Sequence, residues 1–254
     1  MADKELTFWD HLDELRKVIF RILVAIVLFA ILAFIGKKPL FDIILAPHRP
    51  DFILYRWLDQ LARVLSMPSF LVDDFHVDLI STQLTSQFVI HMTTSIYTAI
   101  LITSPYIIYQ LFRFVSPALY DHEKKYSSKV IVSSFLLFFT GVLINYLIIF
   151  PLSFRFLSTY QVSEEVTNII TISSYMGTFI MLSLMMGIMF EIPILCWLFG
   201  KLGWITAPFM RRYRRHAVII ILTIAAIITP TTDIFTLLIV FIPFSYCMKS
   251  ASTL

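Results

Sequence analysis

Between Asp78 and Arg113 the chain carries no Asp, Glu, Lys or Arg. Charge is scarce throughout, at 15% of the 254 residues against 58% hydrophobic, and the mean hydropathy is +0.83. Such a balance excludes an ordinary soluble domain and marks an integral membrane protein. Glycine is equally sparse, at 6 residues, which leaves little material for a nucleotide cradle. Neither a GxxxxGK[ST] phosphate loop nor a GxSxG elbow occurs. Tyr126 stands where a zinc signature begun by His122-Glu123 would need histidine. The two cysteines, Cys196 and Cys247, lie far apart in apolar runs without metal-ligand spacing, so neither a disulfide nor zinc is expected. There is no internal repeat and no low-complexity tract. The expectation is a chain that is not an enzyme, with no catalytic residues, cofactor or metal, and a net charge of +3 does not point to nucleic acid.

What the chain has is a series of long apolar runs. Thr7-x-x-Asp10 can cap a helix start, and Phe8, Leu12, Leu15 and Ile19 then recur at helical spacing, with Asp10, Glu14, Lys17 and Arg21 on another face. This predicts an amphipathic lead-in over 7–17 at a membrane surface, before a first span from about Val18 to Ile35. The polar, partly acidic N-terminus does not read as a cleavable signal peptide, so the first run is expected to be retained. A long loop over 37–83 follows. It opens with a short apolar element, Leu40 to Leu45, broken by Pro47 and Pro50. Leu54, Trp57, Leu58, Leu61 and Leu65 then form a stripe opposite Arg56, Asp59, Gln60 and Arg63, which predicts a short interfacial helix anchored by Trp57. No function attaches to residues 51–75 at this level.

Span 2 is expected over about Ser86 to Phe112, kinked at Pro105. Span 3 is expected from about Val130 to Phe150, ending at Pro151, and span 4 from about Ile172 to Phe199. His216 to Cys247 is cut at Thr229-Pro-Thr-Thr-Asp233 into halves of about fourteen residues, short of the roughly 20 that cross a normal bilayer core. Two short spans are favoured over a re-entrant pair. The predicted fold is all-α, with six transmembrane helices, the last two short, in one domain covering 1–254. Orientation follows from the 20 Lys and Arg: with the N-terminus inside, fourteen fall on the inner side and six on the outer, mostly in the long loop. Both termini are therefore expected in the cytoplasm.

Among the polar intervals, Phe114-x-x-Pro117-Ala-Leu119-Tyr120-x-His122-Glu123 is the most specific. It resembles the loop between spans two and three of the TatC family, the multi-spanning receptor subunit of the twin-arginine protein translocase. His11-Leu12-x-Glu14-Leu15-Arg16 resembles that family's N-terminal motif. The resemblance implies that Glu14 and Glu123 are carboxylates that recognise the paired arginines of a signal peptide, with Arg16, Phe114, Leu119 and His122 around them. An arginine fork can make two charge-assisted hydrogen bonds to a carboxylate, which lysine cannot match. The residues alone leave open a solvated loop at Glu123 and a helix-surface pair of Glu14 with Lys17.

Glu191 stands out on physical grounds, because a carboxylate deep in an apolar span costs on the order of 2.5–3.5 kcal/mol. Ser183 and Gly187 share its helical face. A carboxyl hydrogen-bonded to a neighbouring helix is one reading; the resemblance, which places a glutamate on a concave face, favours a polar or water-filled cavity. Asp233 follows Thr229-Pro230 at the last turn, as a helix N-cap or a functional group; the family's Thr-Pro-Pro-Asp is altered here by an extra residue. Where the family often carries a partner-contacting glutamine, this chain has Leu237. Pro47, Tyr146, Phe150-Pro151 and Tyr109-Gln110 match the family and are read as mainly structural.

The function implied is a bacterial inner-membrane receptor for twin-arginine signal peptides of folded cargo, assembling with TatA-like and TatB-like single-span proteins and with itself, in contact with membrane lipid and driven by the proton-motive force. The alternative is a small proton-coupled transporter using Glu191, which would predict repeated halves with interrupted helices.

Overall fold

Four of the expected runs form helices long and apolar enough to cross a membrane: Leu12–Ile35, Ser86–Phe114, Val130–Thr159 and Ile172–Ile192. The structure, a computed structural model, describes residues 8–64, 77–115, 127–161, 163, 168–201, 219 and 223. Thr7 and the two expected short spans beyond residue 216 lie outside the described residues, apart from Ile219 and Thr223, both helical.

Helix α1, Phe8–Ile35, is continuous, so the amphipathic lead-in and the first span are one element. Most of its apolar side chains point away from the protein, among them Phe20, Leu23, Val24, Val27, Leu28 and Ile31. In water that surface would be a liability; in hydrocarbon it is the expected lining. The connection to the next span holds α2, Lys37–Ile44, a 3₁₀ turn at Ala46–His48, and α3, Ile53–Val64. Strand β1, Leu79–Ile80, precedes the long helix α4, Ser86–Val115.

Helix α4 passes through Pro105 unbroken. Proline removes the hydrogen bond that would reach the carbonyl of Leu101, and the Ser104 hydroxyl donates to that same carbonyl at 2.7 Å. The third span differs from expectation at Pro151, where the helix does not end. Helix α5, Ser127–Ile144, widens into a π segment, Asn145–Ile149, and continues as α6, Phe150–Thr159. The wider turn ahead of Pro151 relieves the clash that its ring would make with a preceding carbonyl in a regular helix. Strand β2, Ile170–Thr171, pairs with β1 in parallel, a two-stranded addition to the all-α expectation, and α7, Ile172–Lys201, follows.

The largest buried cluster lies at the β-strand end. Leu40 and Ile44 of α2 pack with Ile90 and Tyr97 of α4, Phe150 and Phe154 of α6, and Tyr175, Met176, Phe179 and Leu182 of α7. Phe150 meets Tyr175 and Phe179 edge-on, each pair of centroids 5.0 Å apart. Three tyrosines fasten the connection to the bundle. Tyr175 donates to the carbonyl of Ile44 at 3.0 Å and Tyr146 to that of Ile43 at 2.7 Å, satisfying acceptors that the end of α2 leaves open. The Tyr55 hydroxyl reaches the carbonyl of Pro151 at 3.1 Å and that of Pro47 at 3.4 Å. Burial pushes the Tyr55 phenol up to about 12, against the opposing pull of the Arg155 guanidinium, which sits 5.6 Å from its ring centre. Pro47 and Tyr146 thus both have structural places here, and α3 is anchored by a residue outside the leucine stripe.

Helices α5 and α7 approach closely where glycine permits it. A Cβ on Gly141 would stand 2.6 Å from the Met186 carbonyl oxygen, and one on Gly187 would stand 2.6 Å from the Phe138 ring, whereas Gly177 faces open space. Gly141→Ala should therefore cost about 1–3 kcal/mol in detergent unfolding, because a backbone atom cannot move aside. Gly187→Ala should cost less, since the Phe138 ring can swing. Gly177→Ala should be neutral or gain up to about 1 kcal/mol from helix propensity. Equal losses at Gly177 and Gly141 would disprove the close approach.

Candidate functional site

Two places concentrate polar groups. The first lies at the end of the bundle opposite the strands, where α1 begins and α4 ends. These helices run antiparallel: Phe34 near the end of α1 stacks on His91 near the start of α4, with centroids 4.0 Å apart, and meets Phe88 edge-on. The start of α1 is thereby brought to the end of α4. There Glu14, Lys17, Val18, Arg21, Arg113 and Phe114 line a recess of about 330 Å³. Glu14, Lys17 and Arg21 come to one side of α1 because they are three and four residues apart. Val18, in the floor, is buried.

Of the residues named from sequence, Glu14 and Phe114 meet in this recess, and Arg16 is exposed on α1 but not part of its lining. Glu123, Leu119 and His122 lie outside the described residues, in the interval that begins directly after α4. Thr229 and Asp233 also lie outside them. The ion pair that helical spacing allows between Glu14 and Lys17 is not made, and no described residue pairs with Glu14. Its carboxylate is available to a ligand. Lys17, Arg21 and Arg113 entered the sequence reading only as topology signals or neighbours; their clustering needs the α1–α4 pairing, which spacing cannot supply.

The second place is inside the membrane, between α5 and α7. Ser134 of α5 donates its hydroxyl to Glu191 Oε2, while Oε1 has no partner among the described residues. Glu191 is partly buried, and this contact is a hydrogen bond to a neighbouring helix. Its helical face continues as expected: Gly187 accommodates Phe138, and Ser183 accepts from Asn145 Nδ2 at 2.7 Å. Asn145 is fully buried, and its Oδ1 is unpaired among the described residues. Asn145 and Ser134 were not singled out from sequence. A lone amide inside an apolar run, the same signal that marked Glu191, would have found Asn145. Among the described residues no cluster of His, Cys, Asp and Glu has the makings of a metal site.

Comparison with known proteins agrees with this architecture. Residues 10–243 match the family described as Sec-independent protein translocase protein (TatC). The chain is 36% identical over 242 residues to the Sec-independent protein translocase protein TatC of a Blattabacterium from Periplaneta americana, covering 94% of this chain and 91% of that one. It is 30% identical over 230 residues to TatCy of Bacillus subtilis, covering 91% and 81%. Two crystal structures of the twin-arginine translocase receptor TatC superpose on it. The one in DDM has a TM-score of 0.73 at 27% identity, and the other 0.69 at 29%; both cover 95% of this chain and 99% of theirs.

The Ser134–Glu191 contact gives a double-mutant test. Ser134→Ala should lower stability in detergent by about 1–3 kcal/mol, because it strips the partly buried carboxylate of its donor. The double variant Ser134→Ala/Glu191→Leu should lose less than Ser134→Ala alone, since both polar partners are then gone. Thermal unfolding of the purified variants reads the difference. Additive losses would mean that the two side chains do not depend on each other.

Proposed function

The chain belongs to the TatC family of Sec-independent protein translocase proteins, and from that we propose that it binds twin-arginine signal peptides on the cytoplasmic face of a bacterial inner membrane. It is a multi-pass membrane protein and a subunit of the twin-arginine translocase. In the proposed reading it has six spans with both termini in the cytoplasm, and it nucleates assembly with single-span TatA-like and TatB-like partners. Folded cargo then crosses their joint assembly at the expense of the proton-motive force. The fourteen-to-six distribution of Lys and Arg supports this orientation.

The observation that carries the reading is the shared recess of Glu14 and Phe114. Phe114 opens the motif that contains Glu123, so its meeting with Glu14 through the antiparallel pairing of α1 and α4 supports a receptor drawn from both motifs. Glu14, free of an ion pair with any described residue, takes one guanidinium, and Glu123 takes the other. Each charge-assisted hydrogen bond contributes roughly 1.5–3 kcal/mol, enough for two sites to set specificity. Glu191 is assigned to a later step, in the polar interior between α5 and α7. The transporter reading of Glu191 lacks the repeated halves it would need.

Glu14→Gln or Glu123→Gln should each weaken crosslinking of an arginine-pair signal peptide to the detergent-solubilised chain by about tenfold or more. A lysine-pair peptide should bind the native chain less well than the arginine original. Indifference to all three changes would remove the site. Separately, Glu191→Ala should lower export in cells while leaving peptide crosslinking near the native level. Undiminished export would take Glu191 out of the mechanism.

A further inference from the structure

The recess that presents Glu14 has more positive than negative charge. Among the described residues of its lining, Lys17, Arg21 and Arg113 stand against the carboxylate of Glu14, a surplus of two cations. None of the three makes an ion pair with a described residue. The acidic residues of α1 nearest to Glu14, Asp10 and Asp13, do not line the recess. Coulomb repulsion among like charges at such a boundary is lowered by an anion held beside them.

We infer that Lys17, Arg21 and Arg113 bind the phosphate of an anionic phospholipid in this recess, beside the carboxylate that takes the peptide. Three features select a lipid over a free anion. Arg21 lies one turn below Lys17 on α1, on the side leading into the apolar span, so the cations descend toward the hydrocarbon. Further along the same side of α1, three and seven residues past Arg21, Val24 and Leu28 are exposed, an apolar bed for acyl chains. The recess itself is large enough for a phosphate headgroup, at about 330 Å³. Guanidinium groups grip phosphate oxygens two at a time, and basic pockets between transmembrane helices are recurrent sites for acidic headgroups. Bound lipid reduces the local surplus of positive charge. It therefore raises the affinity for a twin-arginine peptide, a consequence that rests on the function proposed above; the lipid site itself does not.

Native mass spectrometry of the purified chain in mixed detergent micelles tests the site without peptide. With phosphatidylglycerol and phosphatidylcholine offered equally, the phosphatidylglycerol should be retained preferentially, and added inorganic phosphate should not displace it. Arg21→Gln and Arg113→Gln should each lower that preference about fivefold. Arg21→Lys and Arg113→Lys, which keep the charge, should retain most of it and guard against misfolding. Arg56→Gln on α3, at the other end, should behave as native. Equal retention of the two lipids, release by inorganic phosphate, or an equal loss in Arg56→Gln would each overturn the proposal. In nanodiscs, arginine-pair peptide should bind more tightly with phosphatidylglycerol than with phosphatidylcholine, and Arg21→Gln/Arg113→Gln should abolish that difference. Glu14→Gln should lose the peptide yet retain at least the native lipid preference, so that failure of the peptide reading and failure of the lipid site give different results.

Discussion

The antiparallel pairing of α1 with α4 is the constraint on which the candidate receptor site depends. In hydrocarbon, two apolar helices gain nothing from hiding their surfaces from water, so register must come from shape and from the few polar groups present. Here it comes from Phe34 lying flat on His91 at one end and from the buried Val18 at the other. A slip of one turn, about 5.4 Å, would carry Glu14 away from Arg113 and Phe114. The aromatic contact at the strand end and the ionic recess at the opposite end are therefore linked by the rigidity of two long helices.

The pairing of α5 with α7 obeys the same logic with different residues. Gly141 and Gly187 let the backbones approach, and polar contacts lie on both sides of that tight region: Ser134 with Glu191, Asn145 with Ser183. Close packing separates the two polar layers. Glu191 therefore belongs to a confined pair of helices, whereas Glu14 belongs to an open rim. The tyrosine contacts at the strand end complete the frame by holding α2 and α3 against α6 and α7.

How much of this was legible in the sequence depended on range. The four described spans follow from long apolar runs, and the polar face Ser183–Gly187–Glu191 follows from helical spacing; both are local properties. The placement of α3 was not legible. Of its leucine stripe Leu54 and Leu58 are half-buried, and the contact that ties α3 to the bundle is made by Tyr55, outside the stripe, whose hydroxyl finds a carbonyl 96 residues away. Nothing near Tyr55 announces Pro151. Nor does Pro151 announce that the helix survives it, because that depends on a widened turn formed by the preceding residues. Glu14 and Phe114 were joined by family resemblance before geometry; Lys17, Arg21 and Arg113 needed the helix pairing.

The π segment changes how the third span relates to its neighbours. On the α5 side, Ser134, Phe138, Gly141 and Asn145 address α7 at ordinary helical intervals; past the wide turn, Phe150 and Phe154 address it instead. One surplus residue shifts the phase of the second half by about 100°, one residue's share of a 3.6-residue turn. The aromatic half and the polar half of this span are thus set by separate dials, and a single-residue deletion between them would leave each half's composition intact while pointing one of the two away from its partner helix.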